Sequence, residues 1–344
     1  MKKKLIAITV AAALAPAVAM AETANVDFYG RIHASLDSVT NNGAKDSIAL
    51  NDNSSRFGLK GSNDLGNGVK GLLQIEAGVD GNGAGNGSAL PGLRDTYIGL
   101  TGGFGTVLTG KLPAANQYVY DSNLFADQLG DAANFTGGSL AGVGRADRAL
   151  HYVSPSLGAV NVALTYLPAT SVNSTAGINN GGNSTGIKVN YAGNGVTASL
   201  TTFNLNVGTS YNVKPLSVAG SYDFGTGNLS AQYVNATNES GADTKRTIYN
   251  IGGKFNVSDK GAIKAQYSKA GESKANAKNG ASMFAIGYDY SLSKQMGMYV
   301  VYAATTNDKA GTFGMDNWGH NSQSAGMAAG NDPKGFGIGL TYNF

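Results

Sequence analysis

The side chains able to do covalent chemistry are few and scattered. The chain of 344 residues has three histidines, His33, His151 and His320, and no cysteine. A nucleophile needs a base within reach and a metal needs several converging ligands. Three distant histidines supply neither, and without cysteine there is no disulfide framework and no thiolate metal site. No catalytic residue, metal or cofactor is expected. What remains is fixed charge. Asp27, Arg31 and His33 alternate with Phe28, Gly30 and Ile32; Lys188 and Lys264 alternate with aliphatic and aromatic neighbours; Glu76 sits among Gln74, Ile75 and Ala77. Charges spaced this way line a surface and act through their field, on whatever passes it.

The elements that position them must have period two. In Val26 to Asp37 one face reads Val, Phe, Gly, Ile, Ala, Leu and the other Asp, Tyr, Arg, His, Ser, Asp. At the C-terminus Phe336, Ile338, Leu340, Tyr342 and Phe344 alternate with Gly335, Gly337, Gly339, Thr341 and Asn343. Fifty glycines against seven prolines, with 17 tyrosines, suit many short strands and tight turns and suit helices badly. The segments run to about ten residues, as a tilted membrane strand requires, and their apolar faces often end in Tyr or Phe.

The N-terminus sets the compartment. Lys2, Lys3 and Lys4 precede an apolar stretch from Leu5 to Val18, followed by Ala19-Met20-Ala21. This is the layout of a secretory leader cleaved after residue 21. Removing its three lysines takes the basic count from 25 to 22, equal to the 22 acids, so the formal charge of +3 points to no nucleic-acid partner. No later segment approaches the roughly 18 apolar residues of a membrane-crossing helix.

Sixteen strand segments can be counted, from 26–39 to 334–344, joined alternately by short Gly/Asn/Asp/Ser turns and longer polar loops. The segment 205–215 would make a seventeenth and is assigned to an outer loop or a strand extension. An even count with both ends on the short-turn side allows closure into a barrel, which leaves no sheet edge exposed to lipid. The expected fold is all-β: a 16-stranded antiparallel transmembrane β-barrel over residues 22–344. A barrel of that size holds a lumen too wide for side chains to fill, so it holds water.

Several sequence words then carry a resemblance. Tyr29-Gly30-Arg31, Ser55-Arg56-Phe57-Gly58-Leu59-Lys60-Gly61-Ser62-Asn63-Asp64-Leu65-Gly66, Gln74-Ile75-Glu76, Arg94-Asp95-Thr96-Tyr97-Ile98-Gly99-Leu100, Phe104-Gly105-Thr106-Val107 and a terminal Phe344 occur in order. Together they resemble the Gram-negative general diffusion porins, most closely the β-proteobacterial type, over about 26–155 and the last strand. The resemblance implies passive diffusion of small hydrophilic solutes and ions across the outer membrane, a homotrimer, and an inward-folded third outer loop, here 113–145. It implies a basic wall facing acids on that loop. By motif the wall residues are Arg31, Arg56, Arg94, Lys111 and, more loosely, Arg145; the loop acids are Asp121, Asp127 and Asp131. The loop word Pro-Glu-Phe-Gly-Gly of enterobacterial porins is absent, and Arg94 shares parity with Ile98 and Leu100, so a bulge or a position above the membrane band is needed. Five cations against three loop acids imply a mild anion preference, which Glu76 opposes. Phe344 resembles the signal read by the barrel-assembly machinery; outer-membrane lipid and lipopolysaccharide are the expected surroundings. The alternatives are a substrate-specific channel using Tyr118, Tyr120, Phe125 and Phe135, an outer-membrane enzyme, and a soluble adhesin. Trp318 and the loop 306–333 either cover the mouth or meet a neighbour.

Overall fold

The computed structural model describes residues 25–40, 47–80, 92–113, 118–136, 145–169, 172–173, 178–179, 182–207, 211–238, 245–273, 277–316, 320 and 328–344. The leader segment 1–21 and Trp318 lie outside them. Period-two alternation becomes strand almost everywhere: β1 (Asn25–Thr40), β2 (Ser47–Asp52), β3 (Arg56–Gly66), β4 (Val69–Gly78), β5 (Leu93–Gly102), β6 (Gly105–Leu112), β7 (Ala146–Val153), β8 (Val160–Leu167), β9 (Val172–Asn173), β10 (Ile178–Asn179), β11 (Ser184–Gly193), β12 (Val196–Val207), β13 (Tyr211–Asp223), β14 (Gly227–Asn238), β15 (Arg246–Asn256), β16 (Gly261–Ala270), β17 (Ala281–Ser291), β18 (Met296–Asn307) and β19 (Lys334–Asn343). One helical turn, α1 (Ala133–Thr136), lies in the third outer loop.

Neighbouring wall strands pair antiparallel, and β19 returns to β1, from Arg31 opposite Asn343 to Thr40 opposite Lys334. The sheet is therefore closed. Both β2 and β3 pair with β1, Ala34 with Asp52 and Arg31 with Arg56, so they are two parts of one wall strand interrupted at residues 53–55. The two-residue β9 and β10 form a ribbon within a loop. Taking β2 with β3 and setting the ribbon aside leaves a 16-stranded barrel. The described residues of 205–215 are strand extension: β12 and β13 run on together, Leu205 opposite Val213 and Val207 opposite Tyr211.

The short turns follow from local chemistry. Between β11 and β12, Asn194 and Gly195 take φ of 53° and 75°. Two positive φ values in a two-residue link match the strand twist, and Asn-Gly tolerates them best.

The barrel is inside-out relative to a water-soluble sheet. Along β1, Val26, Phe28 and Leu36 are 57%, 60% and 53% exposed, while His33, Ser35 and Asp37 are buried. The same alternation recurs from β4 (Leu73, Ile75) to β19 (Phe336, Ile338, Leu340, Tyr342). An apolar exterior over a polar interior suits a wall standing in lipid around water. No helix among the described residues is long and apolar enough to cross a membrane, so the strands make the crossing.

The buried apolar cluster joins side chains of the third outer loop to side chains of the wall strands. Tyr118, Val119, Phe125, Leu129 and Phe135 are all buried there, against Met283, Ala285, Tyr299, Val301 and Ala303 of β17 and β18 and Met315 of the last loop. Burying each large side chain contributes about 1.5–3 kcal/mol to holding the loop.

Candidate functional site

The basic wall forms where β1, β3, β4 and β5 lie side by side. Arg31 and Arg56 are partners in register across β1 and β3. Like charges so placed repel, and carboxylates offset them. Glu76, on β4, accepts from Arg94 Nε at 2.6 Å and from the Tyr29 hydroxyl at 2.9 Å, with Arg56 Nε 3.9 Å away. Arg56 also donates to the Ser54 carbonyl at 3.0 Å. The Glu76 side chain is 7% exposed; those of Arg31, Arg56 and Arg94 keep 22%, 25% and 23%. The carboxylate is thus sunk among guanidinium groups that still reach solvent. Glu76 belongs to the basic wall and is not a facing acid.

Arg94 reaches this cluster through a break in register. Ile75 pairs with Thr96, but Ala77 pairs with Leu93, so two residues of β5 stand opposite one of β4. Such a bulge re-aims a side chain. It brings Arg94 to Glu76 although simple alternation puts it with Ile98. The neighbouring Asp95 takes the Arg145 guanidinium in an ion pair, which ties the end of the third loop to the same wall. Lys111 is not brought in. It pairs with Thr96 beside a register shift at Gly110, and forms no ion pair with a described residue.

The three loop acids separate into different roles. Asp127 Oδ2 lies 3.6 Å from Arg31 Nη1 and is the loop acid that meets the basic wall. Burial pushes its carboxyl above the ordinary range, against the pull of Arg31, Arg56 and Arg94. Asp121 takes Lys188 Nζ at 2.5 Å and the Ser199 hydroxyl at 2.6 Å, fastening the loop to β11 and β12. Asp131, expected as a facing acid, is fully buried. It accepts from Asn123 Nδ2 at 2.5 Å, Ala133 N at 2.7 Å and Asp127 N at 2.8 Å. Burial, then the charge of Asp127, pushes its carboxyl up to about 7. Asp131 folds the loop and faces no pore, because loop backbone donors take both its oxygens.

Residues that sequence reasoning passed over hold the loop against the opposite wall. Gln232 Nε2 donates to the Tyr118 carbonyl at 2.6 Å, Asn250 Nδ2 to the Ser122 carbonyl at 2.8 Å, and Gln266 accepts from Leu124 N at 2.8 Å. Lys264, read as plain wall lining, is 3% exposed and bonds Gln128 and Asp289, both at 3.0 Å. Gly130 N donates to the Met315 carbonyl at 2.9 Å, so the last outer loop meets the third. The signal available was inward parity: each of these strand residues is polar on a face that water alone would not demand. Of the four loop aromatics, Tyr118, Phe125 and Phe135 are buried and Tyr120 is 45% exposed, so they do not line a binding track together. The run Gly182-Asn183-Ser184-Thr185-Gly186 has nucleophile-elbow spacing. Ser184 instead opens a barrel strand and accepts from Asn206 N, without the strand-to-helix turn the elbow needs.

At the C-terminus the Phe344 ring lies over Gly30 and 5.5 Å from the Phe28 ring, and the two backbones exchange hydrogen bonds of 2.9 and 3.1 Å. A Cβ on Gly30 would stand 2.3 Å from the Phe344 ring and 2.9 Å from the Arg56 carbonyl oxygen, so a larger residue would displace the ring and crowd the backbone.

The Gram-negative porin family model matches residues 7–310. Outer membrane porin protein 32 of Delftia acidovorans is 29% identical, over 100% of both chains. The anion-selective porin from Comamonas acidovorans superposes with a TM-score of 0.76 at 24% identity, covering 93% of this chain and 100% of that one. The trimer form of OmpT from Vibrio cholerae superposes at 0.69, with 18% identity and coverage of 94% and 100%.

Proposed function

The chain belongs to the Gram-negative porins, outer-membrane channels for passive diffusion and not enzymes, and we propose that its passage narrows between Arg31, Arg56 and Arg94 on the wall and Asp127 on the third loop, with a mild preference for anions. The observation that carries this reading is the 3.6 Å approach of Asp127 to Arg31 across the two sides of the cluster. Three guanidinium groups stand there against the two carboxylates of Glu76 and Asp127, leaving one net positive charge. A charged constriction between low-dielectric walls sets ion preference and aligns polar solutes. The described part of the third loop, with at least six polar anchors to the wall, is the element that reduces the bore. The description of the Comamonas porin as anion-selective has the same sign.

Three further proposals belong with this one. The chain works as a homotrimer, as the OmpT relative is described in trimer form. Residues 1–21 are a cleaved leader and residues 22–344 the barrel. Phe344 presents an assembly signal to the barrel-assembly machinery, and the apolar exterior meets outer-membrane lipid and lipopolysaccharide.

The test is reversal potential in a planar bilayer under a KCl gradient. Wild type is expected to favour chloride mildly, and Arg56→Ala to shift the preference toward potassium with larger conductance steps. An unchanged reversal potential in folded Arg56→Ala and Arg31→Ala would remove these arginines from the constriction.

A further inference from the structure

Arg31 is the arginine nearest the loop acid, yet its distance of 3.6 Å from Asp127 exceeds the roughly 2.7–2.9 Å of a closed charge-assisted hydrogen bond. Something else holds it. Arg31 Nη2 lies 2.9 Å from His33 Nδ1, and His33 Nε2 lies 2.9 Å from the Tyr299 hydroxyl. A guanidinium can only donate. Nδ1 must therefore carry the lone pair, which leaves the proton on Nε2 to be given to Tyr299. The ring is neutral and its tautomer is fixed by its two neighbours.

The rest of the surroundings locks this arrangement. His33 is fully buried and Tyr299 is 4% exposed, with their rings edge to face at 5.5 Å. Ser55 Oγ accepts from His33 N at 3.0 Å, and Asn53 Nδ2 donates to the Tyr299 hydroxyl at 3.3 Å. Tyr299 reaches His33 from β18 across β19, and it can do so because Gly339 stands between them. A Cβ at that glycine would lie 2.2 Å from the Tyr299 ring. The glycine face of β19, unexplained by alternation alone, is the space through which β18 touches β1.

We propose that His33 is a positioning residue for ion preference: clamped between Arg31 and Tyr299, it holds the Arg31 guanidinium short of Asp127 and keeps its charge turned to the lumen. Without the acceptor at Nδ1, Arg31 closes on Asp127, and the pair neutralises itself. The inference rests on the constriction proposed above.

Reversal potential again reads the outcome, with folding followed by heat-modifiable migration. His33→Leu removes the acceptor and is expected to lower the chloride-to-potassium permeability ratio by about twofold or more, as tighter neutralisation of one ring charge should. His33→Gln can accept at one end and donate at the other, and is expected to restore the wild-type ratio. Tyr299→Phe keeps the packing, removes only the hydroxyl, and should lower the ratio in the same direction. Selectivity unchanged in Tyr299→Phe and in folded His33→Leu, while Arg31→Ala shifts it, would overturn the role of His33 and leave the constriction standing. No shift in Arg31→Ala either would overturn the constriction itself. If His33→Leu does not fold, Tyr299→Phe and His33→Gln decide the matter.

Discussion

Asp127 and Asp131 are four residues apart on one loop and do opposite work. One carboxylate meets a guanidinium of the wall; the other is consumed by the loop's own N–H groups. Sequence could place Arg31 and Arg56, because strand alternation fixes which side of the wall they line. It could not separate the aspartates, because a loop has no such parity, and backbone geometry alone decides which oxygen meets which donor. Arg94 marks the same boundary within a strand: a single extra residue in β5 reverses its side, and no residue type announces it. The pH response belongs at this scale. Since Asp127 has its carboxyl raised by burial, it takes a proton at a pH above the ordinary carboxylate range. The cluster then loses a negative charge, so anion preference rises as pH falls. Asp127→Asn should show the acid-side preference already at neutral pH and have a weaker pH dependence, the remainder belonging to Asp131, whose carboxyl is pushed up to about 7. Reversal potentials measured from about pH 4 to 8, spanning the usual carboxylate range and above, check this; parallel pH profiles for both proteins would contradict it.

The third loop behaves as an element with its own packed interior. Tyr118, Phe125, Leu129 and Phe135 are shielded by the far wall, and polar anchors to Lys188, Gln232, Asn250, Lys264 and Gln266 fix its path. Gly130 packs against the wall: it has φ of +81°, and a Cβ there would lie 2.4 Å from that of Ala285. Gly130→Ala adds backbone strain of about 1–2 kcal/mol at a positive φ and a clash with the wall. The barrel is expected to fold, with the loop held less firmly and open-channel current noise increased. Quiet wild-type-like currents from Gly130→Ala would contradict this docking. The strands were largely legible, β15 and β16 matching the expected 246–256 and 261–270 at both ends, because period two and turn residues agree there; Ser47–Asp52, expected within the loop 40–53, is strand. The loop's length was legible and its anchoring was not, since most polar anchors are contributed by strands between β11 and β16, far away in sequence.

At the scale of the whole molecule, one inversion organises everything: apolar residues outside, polar residues inside, and a sheet closed between β1 and β19. Closure satisfies every wall strand on both sides in a medium without water, and sixteen strands leave a lumen wide enough to hold water. The C-terminal aromatic and Gly30 complete the seam where the chain ends meet. That much follows from the alternation and the count. The narrowing of the passage does not, because it depends on where one loop comes to rest. The chain has no cysteine, so Asp127→Cys creates a single thiol at the claimed narrowest point. The most direct measurement is single-channel conductance of this variant before and after a negatively charged methanethiosulfonate reagent. Each conductance step is expected to fall by about half or more and preference to shift toward cations, as a bulky anion in a charged constriction requires. Unaltered steps from protein shown by mass to be fully labelled would place the constriction elsewhere.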